Sequence, residues 1–284
     1  VEGMQSSILD DKKIHPQFMQ CVTSTGRLSS RSPNFQNMPR GNTFPVRECI
    51  ISRWKGGKIL EGDYAQLEFR VAGFLANDEQ IYADAKGNVD VHSYTAKILG
   101  VSRQKAKSDT FKPLYGGILG TPKQMRYYRA FKNKYLGVTA WHRKLQNDAF
   151  MTNKVVLPSG RQYFFPNVER LRSGSVTNST AIKNYPVQGF ATADLLPIAL
   201  IKLKNLLTER NLKTIICNTV HDSIVLDVYP EEEEKAIKTL KEAMMCLSSE
   251  CERRYGFKYT MPIGIELKLG DDWLNMKEVY KTNG

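Results

Sequence analysis

Apolar positions along the chain follow two periodicities, which together predict a mixture of strands and helices. Short β-type runs occupy residues 58–63 (KILEGD), 154–165 and 214–228, and the last two have turn residues at their centres. A mostly helical pattern covers about residues 66–145, and a further helix is expected from about 190 to 209. Short strands flanking a long helical stretch predict an α+β fold.

The C-terminal part of the chain begins with another predicted helix. Pro230 precedes four glutamates, a pattern that suits a helix N-terminus, and Gly256 ends the helical pattern. An apolar stripe at spacings of three and four predicts core packing for this helix, and it comprises Ile237, Leu240, Met244, Leu247 and Cys251. A strand is expected at residues 259–267 (YTMPIGIEL).

Composition narrows the class of partner. The 41 Lys and Arg residues exceed the 29 Asp and Glu residues, which gives a net charge of +12 and favours nucleic acid as a partner. The chain has no apolar run near the roughly 18 residues of a membrane span and no N-terminal secretory pattern. Its five cysteines are scattered without a Cys-x-x-Cys pair. We therefore expect a soluble, intracellular protein with reduced thiols and no membrane partner.

Two aspartates are candidate metal ligands. Asp63 follows an apolar strand in GDYAQLEFR, and Asp222 lies at the tip of the second predicted hairpin in VHDSIVLDV. Either residue alone is typical of a turn. Two carboxylates on neighbouring strands would repel each other, and divalent metal would relieve that repulsion. Phosphoryl transfer by two metal ions uses such a pair.

Four functional side chains recur every four residues in SRQKAKSDTFKPLYGG. The spacing predicts that Arg103, Lys107, Phe111 and Tyr115 share one face of a helix. Arg and Lys suit triphosphate oxygens, and the aromatic rings suit a base or sugar. An amphipathic core stripe would be apolar throughout, whereas this one is mixed. Pro113 is expected to kink the helix just before Tyr115.

Six segments, in this order, resemble motifs of the family A DNA polymerases, the group of bacterial DNA polymerase I and many phage replicases. The segments are TGRLSSRSPNFQNMP, DYAQLEFR, VDVHSYTA, RQKAKSDTFKPLYGG, NYPVQGFATAD and HDS. The resemblance covers about residue 14 to Trp273. It implies a right-hand polymerase palm, an antiparallel sheet with helices, carrying a helical fingers insertion. The implied bounds are 1–78 for the first part of the palm with the end of the thumb connection, 79–189 for the fingers, and 190–284 for the second part of the palm.

The resemblance also implies roles for individual residues. Asp63 and Asp222 would be the catalytic ligands of two Mg²⁺ ions, helped by the carbonyl of Tyr64. Glu68 would be the steric gate that excludes a ribose 2′-OH. The implied nucleotide-binding residues are Gln66, Glu68, His92, Arg103, Lys107, Phe111 and Tyr115. The implied DNA-binding residues are Arg27, Asn34, Gln36, Asn184, Gln188 and His221.

Several positions depart from the family pattern. Ser223 stands where the family usually has an acid after the second aspartate, which puts the metal occupancy in question although both aspartates remain. Thr180 stands where an arginine often contacts DNA. Lys112 and Pro113 replace smaller or apolar residues of the fingers helix. These departures affect details of the site rather than the class of protein.

The function implied is a template-directed DNA polymerase that adds dNTPs to a primer. A single-subunit RNA polymerase would share the palm chemistry, but Glu68 and Phe111 argue against it. A two-metal nuclease would explain the aspartates and the basic charge but not the residues from Arg103 to Tyr115. A non-catalytic nucleic-acid-binding subunit would need neither aspartate.

The expected partners are primer-template DNA, dNTPs and an upstream polypeptide. The family resemblance begins almost at Val1, so we expect the thumb and the 3′–5′ exonuclease to be absent from this chain and to be supplied by that polypeptide. The expected location is the cytoplasm of a bacterium or of a phage-infected host.

Overall fold

The structure, a computed structural model, describes residues 5–39, 41, 44–117 and 119–284. Its residue contacts divide the chain into two compact units, each built from segments that are distant in sequence. The first unit comprises Val1–Ala65, Thr192–Glu250 and Ile263–Thr282. The second unit comprises Gln66–Ala191, Cys251–Pro262 and Asn283–Gly284. The expected palm and fingers bounds stay a prediction.

Groups of strands and groups of helices follow one another along the described residues. The strands are β1 (Gln17–Met19), β2 (Ser29–Arg31), β3 (Lys58–Tyr64), β4 (Lys154–Val156), β5 (Gln162–Phe164), β6 (Ile215–Val220), β7 (Ser223–Val228), β8 (Ile265–Gly270) and β9 (Met276–Thr282). The α-helices are α1 (Leu67–Ala76), α2 (Glu79–Lys86), α3 (Val91–Leu99), α4 (Arg103–Thr110), α5 (Pro122–Lys134), α6 (Leu136–Thr152), α7 (Ser179–Gly189), α8 (Leu196–Glu209), α9 (Glu233–Met245) and α10 (Leu247–Tyr255). Short 3₁₀ helices cover Phe35–Asn37, Val46–Cys49 and Lys112–Tyr115, and a π-helical segment covers Phe190–Leu195.

The first unit is built on a five-stranded sheet with the order β6-β7-β3-β8-β9. Every neighbouring pair in it is antiparallel. Helix α9 packs closely on one face, because a Cβ at Gly62 would lie 2.6 Å from Met244 Sδ and 3.0 Å from Leu240 Cδ2. The hydroxyl of Tyr64 donates to the carbonyl of Met244 at 2.8 Å and holds the same helix. This packing fixes the strand that carries Asp63.

The other face of the sheet is covered by the N-terminal segment. Ile59 and Val225 form a buried cluster there with Phe35, Met38 and Trp273. Because side chains alternate across a strand, the residues at positions 59, 61 and 63 of β3 point to this face. The face is therefore apolar at Ile59 and acidic toward the end of the strand.

The second unit is mainly helical and has an aromatic core. The ring of Tyr135 lies 5.5 Å from that of Phe69 and 4.6 Å from that of Phe131. Its hydroxyl donates to Asp84 Oδ2 at 2.7 Å, and Lys134 Nζ lies 2.7 Å from the same oxygen. A buried carboxylate is costly unless it is paired, and Asp84 has both a hydrogen-bond donor and a cation. These contacts join helix α1, which carries the candidate residue Glu68, to helix α2 and to the end of helix α5.

Several sequence predictions are confirmed. A strand ends near Asp63, and antiparallel hairpins form from β4 with β5 and from β6 with β7. Helix α5 begins as expected, since Thr121 and Gln124 form a reciprocal capping box ahead of Pro122. Helix α10 ends before Gly256, whose φ is +76°.

Other predicted bounds are wrong. The helix expected from about Phe190 to Glu209 becomes α-helical only at Leu196, although it ends at Glu209 as expected. A separate helix, α7, which was not expected, contains Pro186, and residues 190–195 between the two are π-helical. Proline removes one helical hydrogen bond, and the wider π-helical turn re-forms the backbone bonding beyond it. The helix expected from Pro230 begins at Glu233 and is interrupted at Cys246, although Leu240, Met244, Leu247 and Cys251 of its stripe are buried as expected.

The C-terminal strands also differ from expectation. The strand expected at residues 259–267 begins only at Ile265, and β9 was not expected at all. Strand β9 pairs with β8 at the sheet edge, and its alternation is weak because most of its residues are exposed or half-buried. The five cysteines are free thiols, and no helix among the described residues is long and apolar enough to cross a membrane.

Candidate active site

The two candidate metal-binding aspartates lie at the same end of two adjacent strands, β3 and β7, in the sheet of the first unit. Asp63 is next to last in β3, where it pairs with Ser223 of β7 and with Glu266 of β8. Asp222 belongs to the connection between β6 and β7, and the N–H of Tyr64 lies 3.5 Å from its carbonyl oxygen. The fold therefore places both aspartates at the same end of adjacent strands, one at the end of β3 and the other in the turn before β7.

The hairpin that presents Asp222 is tight. Val220 pairs directly with Ser223, so only His221 and Asp222 form the connection. His221 is exposed and has a left-handed backbone with φ of +55°. The hydroxyl of Thr219 donates to the carbonyl of Ser223 at 2.8 Å and stabilises the turn. Asp222 is half-buried and held at the tip by a short, well-bonded loop.

Three of the predicted DNA-binding residues line the N-terminal segment of the same unit. The side-chain amide of Gln36 donates to the carbonyl of Thr219 at 3.3 Å, next to the hairpin. The side chain of Asn34 accepts a bond from the Gln36 N–H and caps a 3₁₀ turn. Nε of Arg27 donates to Thr192 Oγ1 at 2.9 Å. Asn34, Gln36 and Arg27 thus have structural contacts, and their contact with DNA stays a prediction.

In the second unit, Arg103 begins helix α4 and pairs with an acid from the preceding helix. Its Nε lies 2.6 Å from Asp90 Oδ2. Asp90 caps helix α3 through the backbone N–H groups of His92 and Ser93 and also accepts from the Ser93 hydroxyl. Burial alone would raise the pKa of Asp90, but the hydrogen bonds from Arg103 and Ser93 outweigh it and hold this pKa well below its usual range.

His92 lies against the end of helix α4. Its Nδ1 is 3.0 Å from Thr110 Oγ1, and its ring centre is 5.3 Å from that of Phe111. Burial lowers the pKa of His92, and the positive charges of Arg103 and Lys107 lower it further. The protonated form of His92 is therefore disfavoured, and a neutral imidazole ring can both accept and donate one hydrogen bond.

The prediction that four residues share one helix face is wrong for the last two of them, Phe111 and Tyr115. Helix α4 ends at Thr110, Phe111 caps it, and Tyr115 closes a separate 3₁₀ turn. The physical reason is Pro113, whose ring excludes a continuous helix because it clashes with the carbonyl four residues earlier and donates no hydrogen bond. The kink therefore comes earlier than expected, before Phe111 rather than before Tyr115.

The predicted nucleotide-binding residues nevertheless remain close along one connected segment. Phe111 packs on Phe69 of helix α1 at 5.7 Å between ring centres, and it also contacts His92. Lys107 is exposed and forms no ion pair within the part of the chain that the structure describes. Two cations and a positioned aromatic ring thus line one end of the second unit, an arrangement that suits a phosphorylated nucleotide.

The remaining predicted residues lie on helices α1 and α7. Gln66 is the N-cap of α1 with a left-handed φ of 52°, and Glu68 lies half-buried in the first turn of that helix. Asn184 and Gln188 lie one turn apart on α7, and Oδ1 of Asn184 is buried without a hydrogen-bond partner among the described residues. A buried amide oxygen without a partner is unusual, because most buried polar atoms in proteins accept or donate a hydrogen bond.

Asp90 is the residue that sequence reasoning missed at this site. The motif VDVHSYTA was singled out for its histidine, whereas the structure gives the aspartate two contacts, a helix cap and the pair with Arg103. The signal was present, since Asp directly before a helical pattern is a typical N-cap. Its pairing with a residue 13 positions later could not be predicted from spacing.

Comparisons with known proteins identify the family to which the chain belongs. Residues 1–275 match the sequence profile of DNA polymerase family A. DNA polymerase I of Lactococcus lactis subsp. cremoris (strain MG1363) is 31% identical over 300 residues, which cover 98% of this chain and 33% of that protein. The thermostable DNA polymerase I of Thermus aquaticus is 30% identical over 291 residues, which cover 94% of this chain and 33% of that protein.

A solved structure supports the fold. The POL domain of Pol1 from M. smegmatis, in complex with DNA primer-template and dNTP, matches with a TM-score of 0.81 and 22% identity. The match covers 97% of this chain and 50% of that one, and it confirms the α+β polymerase fold. The chain spans about one third of the length of the curated relatives that it matches. Because the family profile covers nearly all of its residues, the chain belongs to DNA polymerase family A.

Proposed function

We propose that this chain catalyses template-directed addition of dNTPs to the 3′-OH of a DNA primer. The observation that carries the proposal is the placement of Asp63 and Asp222 at one edge of an antiparallel sheet, in a chain of DNA polymerase family A. Its relatives are named DNA polymerase I, and the similar solved domain is described as bound to DNA primer-template and dNTP.

The residues at the sheet edge fit magnesium. The two aspartates and the backbone carbonyl of Tyr64 offer hard oxygen donors. The described residues contain no group of three His, Cys, Asp or Glu side chains arranged to hold a metal by themselves. Magnesium prefers one or two carboxylates and takes its other ligands from water and substrate phosphates. When bound, two such ions would activate the attacking oxygen and stabilise the leaving one.

The chain's own residues would bind and orient the nucleotide. Arg103 and Lys107 would bind the triphosphate through charge-assisted hydrogen bonds. The pair with Asp90 holds Arg103 at the start of helix α4 and limits the rotamers that it can adopt. His92 would add a hydrogen bond to this group of residues, and burial disfavours its protonated form. Phe111 would pack on the sugar and base of the incoming nucleotide.

DNA binding would rest on both polar contacts and overall charge. Arg27, Asn34, Gln36 and His221 lie on or near the N-terminal segment and the hairpin of the first unit. Asn184 and Gln188 lie on helix α7 of the second unit. The net charge of +12 favours association with a polyanion in general, so these six residues would supply register and orientation.

Primer extension tests the proposal directly. A primer labelled at its 5′ end, annealed to a longer template, is incubated with the chain, Mg²⁺ and either dNTPs or rNTPs. We expect stepwise lengthening that requires Mg²⁺ and follows the template, with dNTPs strongly preferred. Lengthening with rNTPs alone would identify an RNA polymerase, and shortening of the primer would identify a nuclease. Binding without any change in primer length would leave only a nucleic-acid-binding role.

A further inference from the structure

The position after the second aspartate is the clearest departure of this chain from its family pattern. His221 and Asp222 are followed by Ser223, where an acid is usual. Ser223 is fully buried and lies on β7 directly opposite Asp63. The side chain directly opposite Asp63 on β7 is thus an uncharged hydroxyl.

A carboxylate from the neighbouring strand lies against that hydroxyl. Ser223 Oγ is 3.1 Å from Glu61 Oε1 and 3.1 Å from the carbonyl of Val220, and it can donate to either oxygen. Glu61 precedes Asp63 by two residues on β3, so both side chains point to the same face of the sheet. Glu61 pairs with Val225, which places it diagonally across from Ser223.

Glu61 lies directly opposite Lys268 of β8 without pairing with its ammonium group, which lies 3.2 Å from Glu266 Oε2. It forms no ion pair among the residues that the structure describes. Glu266 offers the instructive comparison, because it lies opposite Asp63 on β8 but pairs with both Lys268 and Lys281. Two acids thus lie near Asp63 on this face, and Glu61 is the one of the two whose carboxylate is not in an ion pair with any described residue.

We propose that Glu61 supplies, from strand β3, the negative charge that position 223 lacks, and that it helps to hold the catalytic metal ions. The inference rests on the proposed function. Glu61 is a positioning residue, since no three acidic or histidine side chains of the described residues form a metal cluster by themselves. It acts on the metal through its charge and through the hydroxyl of Ser223 that it orients.

The charge-based role and a purely structural role predict opposite results for two conservative variants. Glu61→Gln keeps the length and the acceptor oxygen but removes the charge. Glu61→Asp keeps the charge but shortens the reach to the Ser223 hydroxyl. If charge matters, the Gln variant loses metal affinity and the Asp variant retains most of it. If only the hydrogen bond matters, the Gln variant behaves as the unmodified chain and the Asp variant is impaired.

The experiment measures metal binding and metal requirement separately. Calorimetric titration of the chain alone with Mn²⁺ gives the affinity, and primer extension at varied Mg²⁺ gives the concentration for half-maximal rate. For Glu61→Gln we expect an affinity about tenfold lower and a similarly higher Mg²⁺ requirement, the size expected for one partly screened charge close to a divalent ion. Glu278→Gln, an exposed acid on β9 of the same sheet, is the matched control and should change neither value.

A swap of the two side chains gives a further test. Glu61→Ser should weaken Mn²⁺ binding, and adding Ser223→Glu should restore it, with circular dichroism confirming that each variant folds. Equal Mn²⁺ affinities for the unmodified chain and Glu61→Gln would overturn the inference. The two proposals can fail separately. If the unmodified chain does not extend primers, but Glu61→Gln still binds Mn²⁺ more weakly than the unmodified chain does, the inference stands and the proposed polymerase activity fails.

Discussion

The two aspartates reach the same edge of the sheet for different local reasons. Asp63 is carried there by the register of β3, which Gly62 fixes because only a hydrogen fits beneath Met244 of helix α9. Asp222 is carried there by a two-residue turn in which His221 adopts a left-handed backbone. The sequence predicts both the end of the strand at Asp63 and the tight turn at Asp222. That the two aspartates lie close together in space follows only from the fold.

The first prediction concerns the charge of Asp63. Asp63→Asn keeps the shape of the side chain but removes a charge that would hold magnesium. A loss of about 4 kcal/mol of transition-state stabilisation corresponds to a rate that is ~10³-fold lower. The measurement is the single-turnover rate of primer extension at saturating dNTP.

The matched control for this change is Asp271→Asn. Asp271 is exposed beside the connection between β8 and β9 of the same sheet, so the substitution removes the same charge away from the hairpin tip. We expect Asp271→Asn to leave the rate within about twofold, as is usual for surface changes of less than 0.5 kcal/mol. A rate for Asp63→Asn as high as that of the control would refute the metal-binding role.

The second prediction concerns sugar selection by Glu68. The side chain lies in the first turn of helix α1, directly after the left-handed Gln66, where the backbone holds it firmly. Glu68→Ala would open space for a 2′-OH, so the ratio of rNTP to dNTP incorporation should rise at least about tenfold, equivalent to 1.4 kcal/mol. Glu79→Ala, at the start of helix α2, is the control. An unchanged ratio would place the gate at another residue.

At the scale of single elements, helix α4 gives the third prediction. Lys107 and Lys105 are both exposed on this helix, and two residues of separation point them in different directions. Lys107→Ala should weaken the apparent dNTP affinity roughly 10- to 100-fold, the effect of losing a charged hydrogen bond of about 1.5–3 kcal/mol. Duplex DNA affinity should change much less.

Lys105→Ala provides the internal comparison for that result. It removes the same charge from the same helix, so a general electrostatic effect would appear equally in both variants. Pre-steady-state nucleotide titrations distinguish affinity from rate. If the two variants lose dNTP affinity to the same extent, Lys107 has no specific contact with the triphosphate.

The fourth prediction concerns helix α6 and the pH dependence of stability. Burial, helped by the charges of Lys183 and Lys132, lowers the pKa of His142 to about 3. Because the folded pKa lies below the unfolded value of about 6.5, the unfolded chain binds the proton more readily. The neutral His142 ring therefore contributes fully to the free energy of unfolding above pH 6.5. This contribution is lost as the pH falls toward 3, at about 1.4 kcal/mol per pH unit.

Urea denaturation from pH 7 to pH 4 measures this dependence. His142→Gln removes the titrating ring, so its free energy of unfolding should fall less steeply with decreasing pH than that of the unmodified chain. His15→Gln is the control, because His15 is exposed and bonds only locally to Asp11. Identical pH slopes for His142→Gln and the unmodified chain would show that His142 does not couple folding to protonation.

Elements with strong local signals were predictable from sequence. The capping box at Thr121 and the apolar alternation before Asp63 each specify a bound through local hydrogen bonding or packing. The turn of the hairpin at Asp222 is specified by only two residues. In each case the residues that specify where the element begins or ends lie within a few positions of that point. Hydrophobic periodicity and the residue preferences of turns and caps were therefore sufficient to predict it.

Elements that depend on distant contacts were not predictable. Helix α7 continues through Pro186 because the surrounding unit buries it and the π-helical segment adjusts the backbone bonding. Strand β9 forms because β8 offers a free edge. The pair of Asp90 with Arg103 and the contact of Glu61 with Ser223 likewise join residues that no sequence period relates.

At the scale of the whole molecule, each of the two structural units is assembled from segments that are distant in sequence. The chain leaves the first unit after Ala65 and returns to it at Thr192. It then contributes Cys251–Pro262 to the second unit and returns to the first unit with Ile263–Thr282. The order of the motifs along the sequence therefore does not correspond to their grouping in the two units. The upstream polypeptide with a thumb and exonuclease stays a prediction.

The last prediction follows from the net charge of +12, which belongs to no single site. Cations that neutralise DNA phosphates release condensed counterions, so the logarithm of the affinity should fall linearly with the logarithm of salt, by about 0.9 per contact. Fluorescence anisotropy with a primed template at several salt concentrations should therefore give a slope steeper than about −2, corresponding to more than two phosphate contacts. Arg27→Ala should reduce the slope by about 0.9 if Arg27 binds a phosphate, as expected for the N-terminal segment. Lys258→Ala removes an exposed lysine that pairs with Glu252 and should leave the slope unchanged. A slope near zero would mean that the basic surplus does not contact DNA, and equal slopes for both variants would remove Arg27 from the interface.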